Sequence, residues 1–346
     1  MDKATDGVTL SRVLETDFCG QRLDGVLRLL RPDWSRSIVQ GFFTDGLVLL
    51  NGRPARAAQR LRGGERLEIL HAATSAISPP HLSVLYEDAV LLAVDKPSGI
   101  PSHPLRAGET GTALDGMALL SPAVFFYGEQ SSGQGMGAGG EVSVEARQRS
   151  LEGGLVHRLD NDTSGVLLAA KSEADRQALR AALEDPAAYK EYLAIVHGQL
   201  EKECDIGFPV AHAAGDARRS VAVFPQGWPI PPGAARVRGR FRGRPRSALS
   251  HVVPLECVAD CTLVRVRVHK AVTHQVRVHT AALGHPIAGD PRYLPAGWPA
   301  HAPRLALHAS LIAFRHPGSG EMLHIAAPWA PDLAQAWREM GGRFSG

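Results

Sequence analysis

Arg158 and Asp160, separated by one leucine, stand in the stretch GGLVHRLDNDTSGVLLAAK at residues 153–171, between two apolar runs. A carboxylate is costly to desolvate, so one placed at the lip of an apolar run needs a reason. An Asp ahead of Asn-Asp-Thr-Ser-Gly can be a turn cap, accepting from nearby backbone amides. Taken alone that is the favoured reading; the functional one is an ionised carboxylate kept anionic by a guanidinium and available as nucleophile or base. Arg277, within THQVRVHTAALG, is the candidate partner, though spacing alone does not bring the two together. The familiar catalytic templates are missing: there is no G-x-S-x-G, no phosphate-cradling glycine loop ending in Lys-Ser/Thr, no H-E-x-x-H, and no G-x-G-x-x-G leading into a helix. Fifteen histidines and four cysteines (19, 204, 257, 261) form no array at metal-ligand spacing. No metal and no cofactor are therefore expected, and the cysteines read as reduced, buried thiols of a cytoplasmic protein.

The acid and its arginines need a frame. GLV and GVLLAAK on either side of the motif read as core strands, which places Arg158 and Asp160 on one face at a strand end. LLAVDK, KEYLAIVHG, CTLVRVRVH, LALHASLIAF and MLHIAAP are further strands; EADRQALRAALED is a helix. Thr273 is the expected N-cap of the helix carrying Arg277, and Gly284 its C-terminal stop. Long strands with few, inserted helices predict an α+β domain with a mostly antiparallel sheet over residues 84–330. Residues 127–150, rich in Gly, Ser and Gln, predict a mobile loop, and 331–346 a C-terminal tail.

The N-terminal part reads as a separate module over 22–71, after an extension over 1–21 and before a linker over 72–83. RLDGVLRLL and SRSIVQGFF carry helical spacing, and Asn51-Gly52 is a hairpin turn between short strands. Between 22 and 70 nine arginines stand against five acids, a local +4 in a chain whose net charge is only +3. Such a surface suits phosphate contacts, with Arg22, Arg36 and Arg53 as candidates, though solvated charge on a small domain explains it equally well. A second basic feature runs from Arg236 to Arg246, where every other residue is arginine. In an extended strand all six side chains, Arg240, Arg242 and Arg244 among them, share a face and call for a polyanion; the alternative is a disordered basic loop that draws nucleic acid in non-specifically. No apolar run reaches the roughly 20 residues a membrane helix needs, and the first residues lack an apolar signal core.

GGLVHRLDNDTSGVLLAAKS resembles the central motif of the RNA pseudouridine synthases, specifically the ribosomal large-subunit family. The likeness extends in order through LLAVDKPSGIPSHP, KEYLAIVHG, THQVRVHTAALGHPIAGDPRY and LALHASLIAFRHPGSGEMLHIAAP. The N-terminal module is similar to the small RNA-binding domain first described in a ribosomal small-subunit protein (S-four-like). The resemblance implies an isomerase that turns uridine into pseudouridine without metal or cofactor, acting on ribosomal RNA first and transfer RNA second. It implies Asp160 as the catalytic acid, Tyr192 against the flipped uracil, Arg277 paired with Asp160, and Arg158 and Lys190 on the RNA. A monomer with RNA as its partner is expected. Where the family has Gly-Arg before Thr-His-Gln, this chain has Ala271-Val272 after Lys270, which leaves room for a non-catalytic RNA-binding protein on the same scaffold.

Overall fold

The computed structural model describes residues 8–14, 16–30, 39, 42–43, 46–70, 79–105, 109–124, 151–216 and 218–344. The expected loop over 127–150 and Arg36 lie outside the described residues, as does most of the second helix of the N-terminal module, of which Val39, Phe42 and Phe43 are described and helical. Contacts divide the chain into two compact units, Met1–Ser78 with Leu105–Thr110, and Pro79–Pro104 with Gly111–Gly346.

The first unit holds β1 (Val8–Val13), α1 (Leu23–Leu30), β2 (Val48–Leu50), β3 (Arg53–Pro54) and β4 (Arg66–Leu70), with sheet order β1-β4-β2-β3. The hairpin forms where Asn-Gly predicts it: Asn51 and Gly52 both adopt positive φ, at 50° and 75°, the backbone a tight two-residue turn demands. Leu23, Val26 and Leu27 of α1 pack with Val48, Leu67 and Ile69 of the sheet. That placement follows from the i, i+3, i+4 spacing of the three helical residues.

The second unit is built on one nine-stranded sheet. Its strands are β5 (Ser83–Glu87), β6 (Leu91–Lys96), β7 (Ser164–Ala170), β8 (Tyr189–His197), β9 (Cys204–Ile206), β13 (Ser250–Val258), β14 (Cys261–Val268), β15 (Leu307–Arg315) and β16 (Met322–Ala326). Their order is β5-β6-β7-β15-β8-β14-β13-β9, with β16 beside β15. All its pairings are antiparallel except β15 with β7, the α+β arrangement expected. Gly165 sits in that parallel pairing at φ 111°, where a Cβ would stand 2.2 Å from the Ala309 carbonyl; only glycine lets the strands close there. A smaller sheet joins β10 (Val210–Ala213), β11 (Ser220–Ala222) and β12 (Phe241–Arg246) in the order β11-β10-β12. Helices α2 (Ala113–Leu120), α3 (Glu173–Glu184), α4 (Gln275–Ala282) and α5 (Pro331–Glu339) complete the unit.

Several expectations need correction. Residues 331–346 carry no free tail over 331–339: α5 buries Leu333 and Trp337 in the main core. The arginine run is a strand only from Phe241; Arg236, Arg238 and Arg240 precede it in turn and irregular backbone. Gly243, at φ 72°, and a register shift against β10 then break the alternation, so the six side chains share no single face. Of the cysteines, Cys19 and Cys257 are exposed and only Cys261 is fully buried, all four as free thiols.

Candidate active site

His157-Arg158-Leu159-Asp160 is not strand. Leu155 makes a lone bridge to Ala169, and past Val156 the backbone leaves the ladder. Its polar groups are satisfied from the opposite side instead. Ser102 Oγ accepts from Leu159 N (3.0 Å) and donates to Leu159 O (2.8 Å). Gly99 N donates to Asn161 O, and Ser98 Oγ to Asp162 O, each at 2.8 Å. Lys96, wholly buried, donates through Nζ to the carbonyls of Pro97, Ile100 and Asn161. The stretch DKPSGIPSH is thus a cradle that holds the Asp160 loop off the sheet. Within it Leu159 turns into the core while Arg158 is exposed and the Asp160 side chain keeps 30% exposure.

The loop forms one wall of a cavity of about 390 Å³, lined also by Lys190, Tyr192, Arg246 and residues 268–277. Arg277 reaches in from α4 and donates through Nη1 to Asp160 Oδ2 at 2.7 Å. Its other edge is bound twice by Asp290, Nε to Oδ2 and Nη2 to Oδ1, both 2.8 Å. Asp290 has no exposed side-chain surface and also accepts from the amides of Arg292 and Tyr293. Tyr293 places its ring 5.0 Å from the guanidinium carbon. Burial works against the Arg277 charge, but the hydrogen bonds and charge of Asp290, joined by Asp160, outweigh it and raise its pKa.

His274 sets the entry to α4. Its backbone adopts the left-handed region, φ 60°, and no side chain caps the helix, so the Thr273 cap expected from sequence is absent. Tyr293 Oη accepts from Ser220 N at 2.8 Å and so turns its own proton toward His274 Nδ1 at 2.7 Å. Burial lowers the His274 pKa to about 4 against the pull of Asp160. The ring is therefore neutral at pH 7, with its proton on Nε2, 3.6 Å from Asp160 Oδ2.

Tyr192, on β8, is 8% exposed; burial first and the Asp160 charge second raise its pKa, so the hydroxyl stays protonated. Lys190, on the same strand, is pushed down to about 8 by burial. His157 is driven well below its usual range by burial and then by Lys190, and its Nδ1 is buried without a hydrogen-bond partner among the described residues.

Asp160, Arg158, Lys190, Tyr192 and Arg277 thus line one cavity. Arg240, Arg242 and Arg244 are exposed, and the run they belong to ends at Arg246 on the cavity's rim. Arg22 and Arg53 lie on the first unit, both exposed, Arg22 paired with Asp24 at 2.8 Å. Asp290 and Tyr293 join the site only in the fold: in HPIAGDPRY the Asp reads as an ordinary Gly-Asp-Pro turn residue, and its burial, which makes it an anchor, has no signal in the sequence.

Residues 90–282 match the model of the family described as RNA pseudouridylate synthase. The chain belongs to that family. It is 30% identical over 320 residues to an uncharacterised RNA pseudouridine synthase of Bacillus subtilis, covering 91% of this chain and 92% of that protein. It is 32% identical over 340 residues to ribosomal large subunit pseudouridine synthase D of Xanthomonas campestris, covering 93% and 89%. The solved structure of human RNA pseudouridylate synthase domain containing 1 shares the fold, with a TM-score of 0.52 at 22% identity over 75% of this chain and 90% of that one. This pseudouridine synthase is accordingly an isomerase that acts on RNA. Among the described residues no helix is long and apolar enough to cross a membrane.

Proposed function

We propose that this synthase isomerises uridine in large-subunit ribosomal RNA, with Asp160 as its catalytic carboxylate. The observation that carries the reading is the 2.7 Å Asp160–Arg277 pair in a cavity that Tyr192 also lines. Isomerisation breaks the N1–C1′ bond of uridine and joins C5 to C1′; N1 gains a proton and C5 loses one. The atoms balance without an oxidant or a group donor, and the step calls for a carboxylate beside the ribose. Arg277 fixes the position of the Asp160 carboxylate at the cavity through a charge-assisted hydrogen bond of 2.7 Å. The Tyr192 ring offers the extruded base a flat apolar surface, and its protonated hydroxyl adds no competing charge.

Arg158 and Lys190 hold the flanking phosphates at the cavity, and the exposed arginines from 240 to 244 lead the strand toward Arg246 at its rim. The first unit, with Arg22, Arg36 and Arg53, supplies a second RNA contact. Relatives named as synthases of the large ribosomal subunit support that substrate over transfer RNA. The enzyme works as a monomer in the cytoplasm, where that RNA is assembled.

The test of substrate class uses RNA tritiated at uracil C5 from cells lacking this enzyme. Ribosomal RNA should release tritium to water and transfer RNA should not; release from the transfer RNA pool alone would reverse the assignment.

A further inference from the structure

Cys261 and His197 lie directly opposite each other where β14 pairs with β8. Opposed residues leave a sheet on the same face with Cβ atoms roughly 5 Å apart. Because side chains alternate along a strand, that face is not the one from which Tyr192 projects. His301, from the irregular segment between Asp290 and β15, brings its ring within 5.0 Å of the His197 ring, centroid to centroid. One donor atom from each of the three residues lies within 4.8 Å of the other two.

Two of the three residues are sealed from solvent. Cys261 has no exposed surface and His197 only 3%. His197 Nε2 is buried without a hydrogen-bond partner among the described residues, a state that native structures rarely leave unexplained. The Trp298 ring packs edge-on at 5.3 Å from His197 and helps close the site to water. His301 adopts the left-handed region at φ 54°, which a non-glycine residue enters at a cost.

We propose that His197, Cys261 and His301 form a binding site for a divalent ion of the zinc class. One sulfur and two imidazole nitrogens are the donor set that such an ion selects over magnesium or calcium. Bond lengths of about 2.3 Å to sulfur and 2.0–2.1 Å to nitrogen put tetrahedral donors roughly 3.3–3.7 Å apart. The present spacing closes to that value by a shift of about an ångström, and the half-buried His301 is the ligand placed to make it. On binding, the Cys261 S–H bond is replaced by sulfur–metal, its proton goes to solvent, and the two neutral imidazoles give lone pairs. The remaining single positive charge faces Asp260, whose Oδ2 is 3.1 Å from His301 Nε2. Three protein ligands leave a fourth position for water. The ion would tie the segment that follows Asp290 and Tyr293, the two residues that hold Arg277, to the central sheet.

The full-length chain, stripped with a chelator, is titrated with Co2+ as a spectroscopic probe. Expected are a thiolate-to-cobalt charge-transfer band and the visible bands of a tetrahedral ion, saturating at about one ion per chain and bleached by Zn2+. Both signals should vanish in Cys261→Ala and in His301→Gln but persist in Cys257→Ala, which removes an exposed thiol. Should Cys261→Ala fail to fold, His301→Gln, altered only at a loop residue, carries the test. No bands in the wild type, or bands that survive His301→Gln, would overturn the proposal.

Discussion

Arg277 and Asp160 stand 117 positions apart in the chain and meet at 2.7 Å, while the opposite edge of the same guanidinium is locked to the buried Asp290. One arginine therefore serves two carboxylates in unequal ways. The Asp290 side is sealed from solvent and fixed by two further hydrogen bonds from the backbone amides of Arg292 and Tyr293, so it acts as an anchor. The Asp160 side opens on the cavity, with 30% of that side chain exposed.

Removing the anchor alone should be worse than removing anchor and arginine together. Asp290→Ala leaves the Arg277 charge buried and half paired, a loss of about 3–5 kcal/mol. Asp290→Ala with Arg277→Met should cost clearly less, because no charge is stranded. Urea unfolding of the two variants checks this; equal costs would remove Asp290 from its anchoring role.

How much of this was legible beforehand divides along physical lines. Alternation in CTLVRVRV and the Asn51-Gly52 turn are local signals, and β14 and the β2–β3 hairpin form as they require. The Asp160 loop misled because its apolar neighbours carry a strand pattern, while its backbone is held by Ser102 and Lys96, about sixty residues earlier. Thr273 is a good cap by type, yet His274 takes the left-handed position and ties the helix start to Tyr293, a tertiary bond that no propensity reports. The Arg277–Asp160 pairing was expected from the family resemblance; the Asp290 anchor was not, since burial alone makes that residue important.

Stability should fall in mild acid. Burial holds His274, His279 and His308 near pKa 4, against 6.5 for the free side chain. Between those values the unfolded chain binds protons that the folded chain refuses, so stability is complete above about pH 6.5 and declines toward pH 4. From pH 7 to pH 5 the loss is roughly 1–2 kcal/mol per histidine. His279 is fully enclosed between Ser250 Oγ and the Phe208 carbonyl, so His279→Gln should make the pH dependence of urea unfolding shallower. An unchanged slope would mean that His279 is protonated in the fold.

Salt dependence tests the arginine run. Each phosphate contact on single-stranded RNA contributes about 0.7 to the slope of log K against log salt. Changing Arg240, Arg242 and Arg244 to Gln should flatten that slope by about 2 in all if each meets a phosphate. Filter binding across a salt series measures it, and a slope equal to that of the wild type would show that this segment does not touch the backbone.

The most direct measurement compares tritium release from C5-tritiated ribosomal RNA by the wild type and by Asp160→Asn, with RNA affinity measured in parallel. The substitution keeps the shape of the side chain and removes its charge. The account predicts release reduced by at least about a hundredfold, with affinity close to that of the wild type. Release that survives in Asp160→Asn would take the reaction away from this carboxylate.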